Sequence, residues 1–191
     1  MLAFAVLLLA VISRFLPHIF HATAWNFTAL GGGLLFFGSR MGAGSFTRGA
    51  ALKLSAALAV LIATDYYLTV FVYQYAFHVS GYLVTWLWYA AVCLLGMGLL
   101  QKPSILRVGA GVLASATSFF LLSNFMVWAG SGIAMYPRTL AGLTACYAAA
   151  IPFYRNDVVS TAITAAALFG LPVLAAKIAE ATHAASNRPL A

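Results

Sequence analysis

The sequence predicts an all-α, polytopic membrane helix bundle: six transmembrane helices plus a short helix between the fifth and sixth. Three observations predict it. Of the 191 residues, 64% are hydrophobic and 7% charged, whereas a soluble domain carries about a quarter charged residues, so this chain could not cover a water-facing surface. Six of its apolar runs can cross a bilayer. The basic residues stand as singletons at the ends of those runs, where topology-setting charges belong.

The first run, 2–20, resembles the apolar region of a signal peptide over Met1 to Ile12. It lacks a basic leader, and Arg14-Phe15-Leu16-Pro17-His18 is a poor cleavage site, so it is expected to stay as a helix. The second, 25–39, is short and contains Gly31-Gly32-Gly33, which suits a thin, tilted or partly re-entrant span. Runs 51–73, 80–100 and 106–129 have the length of ordinary spans, and 157–178 is expected to be the sixth. Between the last two, Thr139 to Phe153 is apolar for only 15 residues and ends in Ile151-Pro152. That length fits an interfacial or half-inserted helix. No linker, charge block or internal repeat divides the chain, which predicts a single transmembrane domain over 1–180 and a short polar cytoplasmic tail over 181–191.

The formal charge of +7, ten Lys and Arg against three acids, tests the topology. With six spans and the N-terminus inside, Arg40, Arg48, Lys53, Lys102, Arg107, Lys177 and Arg188 fall on the cytoplasmic side, and Arg14, Arg138 and Arg155 outside. Seven against three obeys the positive-inside rule. If 139–153 also spanned, the count would fall to six against four. The expectation is therefore a bacterial cytoplasmic (inner) membrane protein with both ends inside. The lipid bilayer is its first partner, and dispersed basic residues argue against nucleic acid.

Small residues recur every four positions in Ser55, Ala59 and Ala63, in Ala110, Ala114 and Ser118, and in Ala162, Ala166 and Gly170. Such ridges let helix backbones approach in lipid. Contacts inside the bundle explain them adequately, and one ridge could equally face a partner protein.

Under this topology the unusual polar residues gather towards the outer side. Asp65 is the most informative, because a carboxylate in an apolar helix costs several kcal/mol unless paired or hydrated. Arg14, Arg138 and Arg155 are its available partners, and an Asp–Arg pair can fix helix positions, line a cavity, or do both. His18 and His21 lie near an interface, too isolated for a metal site. Trp86 and Trp88 read as aromatic-belt residues, while Trp128 and Tyr66, beside polar neighbours, could stack on a flat ligand. The candidate ligand-binding set is Arg14, His18, Asn26, Asp65, Tyr66, Asn124, Trp128, Tyr136, Arg138, Arg155 and Asn156.

Catalytic signatures are missing: there is no HExxH, paired carboxylate, serine-triad context or phosphate-cradling loop, so no enzyme is expected. Cys93 and Cys146 lie in apolar runs without a second cysteine nearby and read as small buried hydrophobes. The sequence identifies no cofactor.

Four segments carry a resemblance. They are Arg14-x-x-Pro17-His18 followed by Asn26-Phe27-Thr28; Ser123-Asn124-Phe125-x-Val127-Trp128; Tyr136-Pro137-Arg138-Thr139-Leu140-Ala141-Gly142-Leu143; and Cys146-Tyr147-x-Ala149-Ala150-Ile151-Pro152-Phe153-x-Arg155-Asn156. Together they resemble a family of short bacterial integral membrane proteins whose function is unknown. More distantly, the size, helix number and topology are similar to the substrate-binding S-components of energy-coupling-factor transporters. That resemblance implies capture of a vitamin or related molecule near the outer face, with separate coupling and ATPase subunits as partners. The Ala-x-x-x-Ala docking spacing of such proteins is not made by Ala3, Ala5 and Ala10.

Two functions therefore compete. One is a small-molecule-binding membrane protein, the substrate-capture component of a micronutrient uptake system. The other is a structural accessory subunit of a larger respiratory or photosynthetic membrane complex. A polar, enclosed cavity of a few hundred Å³ favours the first; a filled bundle with an apolar flank favours the second.

Overall fold

The structure, a computed structural model, describes residues 1–19, 27–42, 45–130 and 135–186. Those residues are helical and contain no strand. α1 (Leu2–Ile19) tightens into a 3-10 turn over Ser13–Phe15. α2 is Leu30–Ser39, α3 Arg48–Val72, α4 Val79–Leu99 and α5 Ile105–Gly130. α6 runs without a break through Leu140–Ala165, a π-helical turn at Ala166–Gly170, and Leu171–Ser186. All but α2 are long and apolar enough to cross a membrane.

The caps follow from the sequence. Thr47 accepts a hydrogen bond from the Ala50 N–H (3.2 Å) at the start of α3, and Thr139 accepts from the Gly142 N–H (3.1 Å) at the start of α6. α3 ends in a π-helical turn, Leu68–Val72, and Gln74 then takes a positive φ of 59° to reverse the chain towards α4.

α2 organises the bundle. All ten of its residues are buried, packed against α4, α6, α1 and α5. Four of the ten are glycine, each about 1 kcal/mol poorer than alanine in a helix, so the helix exists because its neighbours enclose it. A Cβ on Gly38 would collide with the Cys93 carbonyl of α4, and one on Gly96 with the Leu35 carbonyl. A Cβ on Gly33 would lie 2.6 Å from that of Ala10, and Gly31 and Gly32 abut Thr161 and Thr164 of α6. Close backbone approach in lipid is the use small residues are suited to.

The expected ridges do not share that role. Ser55, Ala59, Ala63, Ala110, Ala114, Ala162, Ala166 and Gly170 are exposed on the bundle's outside. α3 instead buries Ala50, Leu54, Ala57, Leu61 and Asp65. Four-residue spacing alone does not choose a face: α5 buries Gly111, Val112, Ser115 and Ala116 instead, and α6 buries Cys146, Ala150, Ser160, Thr161 and Ala165.

The boundary expected before residue 157 is also absent. Pro152 lies inside α6, so Thr139 to Phe153 belongs to one helix with 157–178, not to a separate interfacial helix. Proline within a membrane helix is tolerated when neighbours satisfy the freed backbone groups. One of the polar residues that suggested a break is held by α5: the Tyr154 and Thr117 hydroxyls bond at 2.8 Å. The helix also continues to Ser186, into the segment expected to be a tail.

Polarity runs along the bundle axis. Met1 to Phe4 share a groove with Arg40 and Lys53, Gln101 donates to the Ser39 carbonyl (3.1 Å), and Lys177 lies beside Pro103 and Ser104. The N-terminus and the lower part of α6 thus share one end. Ser13, Arg14 and Asp65 lie towards the other, where Ser13 Oγ accepts from the Ala29 N–H (2.8 Å).

Candidate functional site

Asp65 faces inward on α3 and is 1% exposed. Arg14, carried inward by the 3-10 turn of α1, forms an ion pair with its Oδ1. α4 supplies two more donors from one face: the Trp86 indole N–H to Oδ2 (2.9 Å) and the Tyr89 hydroxyl to Oδ1 (3.3 Å). With Arg14 as counter-ion and two neutral donors, the carboxylate is paired and bonded as a buried charge requires.

Four residues further along α3, the Thr69 hydroxyl donates to the Asp65 carbonyl oxygen (2.7 Å) and also contacts the Tyr82 hydroxyl. A threonine has a single hydroxyl proton. When that proton is on the Asp65 carbonyl, Tyr82 donates to Thr69 and the Tyr82 oxygen is left to accept. Tyr82, Phe77 and Trp86 form a three-ring cluster, with Tyr82 5.0 Å from Phe77 and 6.0 Å from Trp86 between centroids.

This network floors a cavity of about 450 Å³. Arg14, Asp65, Thr69 and Tyr82 supply its polar groups with Thr28, and Pro17, Leu68 and Phe153 its apolar walls. His18 and Tyr73 stand at its edge, both exposed, with rings 6.2 Å apart. One buried donor, Arg14 Nη1, has no hydrogen-bond partner.

Three of the candidate residues thus come together: Arg14, His18 and Asp65. Tyr66 points away, 47% exposed, with its ring edge-on to Phe71 and Phe77. Asn124 lies in a neighbouring cavity of about 150 Å³ with Ser123, Tyr154 and Asp157, and Phe153 borders both cavities. Its amide donates to the Phe120 carbonyl (2.8 Å). Trp128 donates to the Pro137 carbonyl (3.0 Å) and so closes the α5–α6 hairpin. Tyr136, Arg138, Arg155 and Asn156 do not line the larger cavity, and Arg138 and Arg155 are exposed. Asn26, like His21 and Trp25, lies outside the described residues.

The reading of Trp86 and Trp88 as belt residues is overturned. Trp86 binds Asp65, and Trp88 is buried with its N–H near the Ser115 carbonyl (3.2 Å) and Ser118 Oγ (3.0 Å). Tyr82, Trp86 and Tyr89 were legible as one helix face, at i, i+4 and i+7, but nothing in that pattern tied the face to Asp65. Cys93 and Cys146 are buried free thiols. Among the described residues no group of three His, Cys, Asp or Glu side chains could hold a metal ion.

No curated protein and no solved structure matches the chain. A family model does match, from residue 1 to residue 184, and by that match the chain belongs to the family of unknown function DUF6580.

Proposed function

We propose that this protein captures a small molecule in the Arg14–Asp65 cavity and acts as the substrate-binding component of a micronutrient uptake system. It is proposed to cross the bacterial cytoplasmic membrane six times, S-component-like, with both ends in the cytoplasm and the cavity towards the outside. The carrying observation is the Arg14–Asp65 pair, which lines a cavity of about 450 Å³ together with Thr28, Thr69 and Tyr82. Small-molecule sites have this size and this balance of apolar wall and few polar groups. In this reading the protein is not an enzyme, and coupling and ATPase subunits power uptake.

The test is extraction from native membranes followed by mass spectrometry of what co-purifies. Thr28→Trp, which fills the cavity, should abolish retention of a small molecule while helical circular dichroism stays unchanged. Arg138→Ala should retain it as the parent does. Equal retention by Thr28→Trp would sink the site.

One observation favours a second reading, a structural accessory subunit of a larger membrane complex. The small-residue ridge of α3, Ser55, Ala59 and Ala63, is exposed, where another membrane protein could pack. A stoichiometric protein partner in the same extract, with no retained small molecule, would support that reading over the first.

A further inference from the structure

The geometry restricts what the cavity can take, given the reading of it as a ligand site. We infer that the ligand is uncharged, flat, and carries a carbonyl oxygen beside a hydrogen-bond donor, as a ring amide or lactam does. The carbonyl accepts from the Arg14 guanidinium, whose side chain lines the cavity, and the neighbouring donor bonds to the Tyr82 oxygen.

Asp65 Oδ1 already accepts from Arg14 and Tyr89, and Oδ2 from Trp86. The carboxylate is therefore largely occupied, which disfavours a cationic ligand seeking it. Arg14 is 15% exposed and balanced by Asp65, so the paired floor is neutral. An anionic ligand would make one guanidinium serve two carboxylates and would leave a net negative charge in an apolar site, where uncompensated charge is costly. A neutral carbonyl takes a charge-assisted bond from the guanidinium and adds no net charge. With the Thr69 proton on the Asp65 carbonyl, Tyr82 donates to Thr69 and its oxygen is left to accept from the ligand. The side chains of Tyr73, Tyr82 and Phe153 around the cavity suit a planar body.

Benzamide and benzoate form a matched probe pair, alike in ring and differing in that one group. Titrated against the full chain in nanodiscs, benzamide should bind at least ten-fold tighter than benzoate. Arg14→Lys retains a positive charge for Asp65 but loses the second arm of the guanidinium fork. It should weaken benzamide at least ten-fold with the thermal midpoint nearly unchanged. Tyr82→Phe should weaken benzamide severalfold and leave benzoate as it was. Should Arg14→Lys fail to fold, Tyr82→Phe decides alone. Benzoate binding as tightly as benzamide, or neither probe binding, overturns the ligand class. The cavity reading is judged separately from the native extract: a retained anion or cation sinks the class and leaves capture standing, whereas an extract with no small molecule sinks both.

Discussion

Asp65 holds three donors on two oxygens, and Arg14 is the only one that carries charge. Removing one partner of a buried pair typically costs about 3–5 kcal/mol, because the other charge is left uncompensated. Asp65→Ala should therefore lower the thermal midpoint sharply. The double variant Arg14→Met/Asp65→Leu should recover much of that loss, measured as a coupling in a double-mutant cycle. Additive effects would mean that the pair is not energetically coupled. Trp86→Phe removes a neutral donor and should cost only about 0.6–1.7 kcal/mol, the range for hydrogen bonds within membrane bundles. Asp65 was legible in the sequence because a carboxylate stands out in an apolar helix. Thr69, Tyr82 and Tyr89 were not, since a neutral hydroxyl in an apolar run announces nothing until its neighbour is known.

At the scale of elements, the α2–α4 seam is set by glycines that back onto carbonyls. Backbone atoms cannot rotate away as a side chain can, so Gly38→Ala or Gly96→Ala must separate the two helices. Overpacking of this kind costs typically about 1–3 kcal/mol or more, and both variants should show lower thermal midpoints by circular dichroism. Gly98 and Gly81 have open space where a Cβ would be added. Alanine at Gly98 should be neutral or stabilise by up to about 1 kcal/mol through helix propensity. Equal effects at Gly38 and Gly98 would contradict the packing described. Run lengths in the sequence located α1 to α5 closely. The start of α6 was obscured, because Pro152 and the polar residues Tyr154 to Asp157 look like a terminus until the bond from Tyr154 to Thr117 of α5 is known. Hydropathy reports what a residue avoids, not which neighbour satisfies it.

For the whole molecule, the basic residues sort by end. Arg40, Lys53, Lys102 and Lys177 lie at the end that carries Met1, and Arg14 lies towards the opposite one. In the membrane orientation proposed, a reporter fused after Ala191 should be active only in the cytoplasm, and one inserted next to Pro137 only outside. A C-terminal reporter active outside would remove the six-span topology. Because α6 rises through both halves of the bundle, that result would also move the cavity to the opposite face.

α2 has a consequence for how the protein is made. Its ten residues rise about 15 Å, half of a hydrocarbon core about 30 Å thick, so lipid alone gives it no stable resting place. The walls that enclose it are α4 and the Thr161–Ala165 part of α6, which leave the ribosome long after it does. At about 5–20 residues per second, α2 waits roughly 6–25 s for Thr164 to be synthesised. Over that interval the side of α2 that faces Thr161–Ala165 has no protein wall. A chain truncated before Leu140 should leave α2 accessible to a water-soluble thiol reagent at an introduced Leu34→Cys, and the full chain should bury the same cysteine.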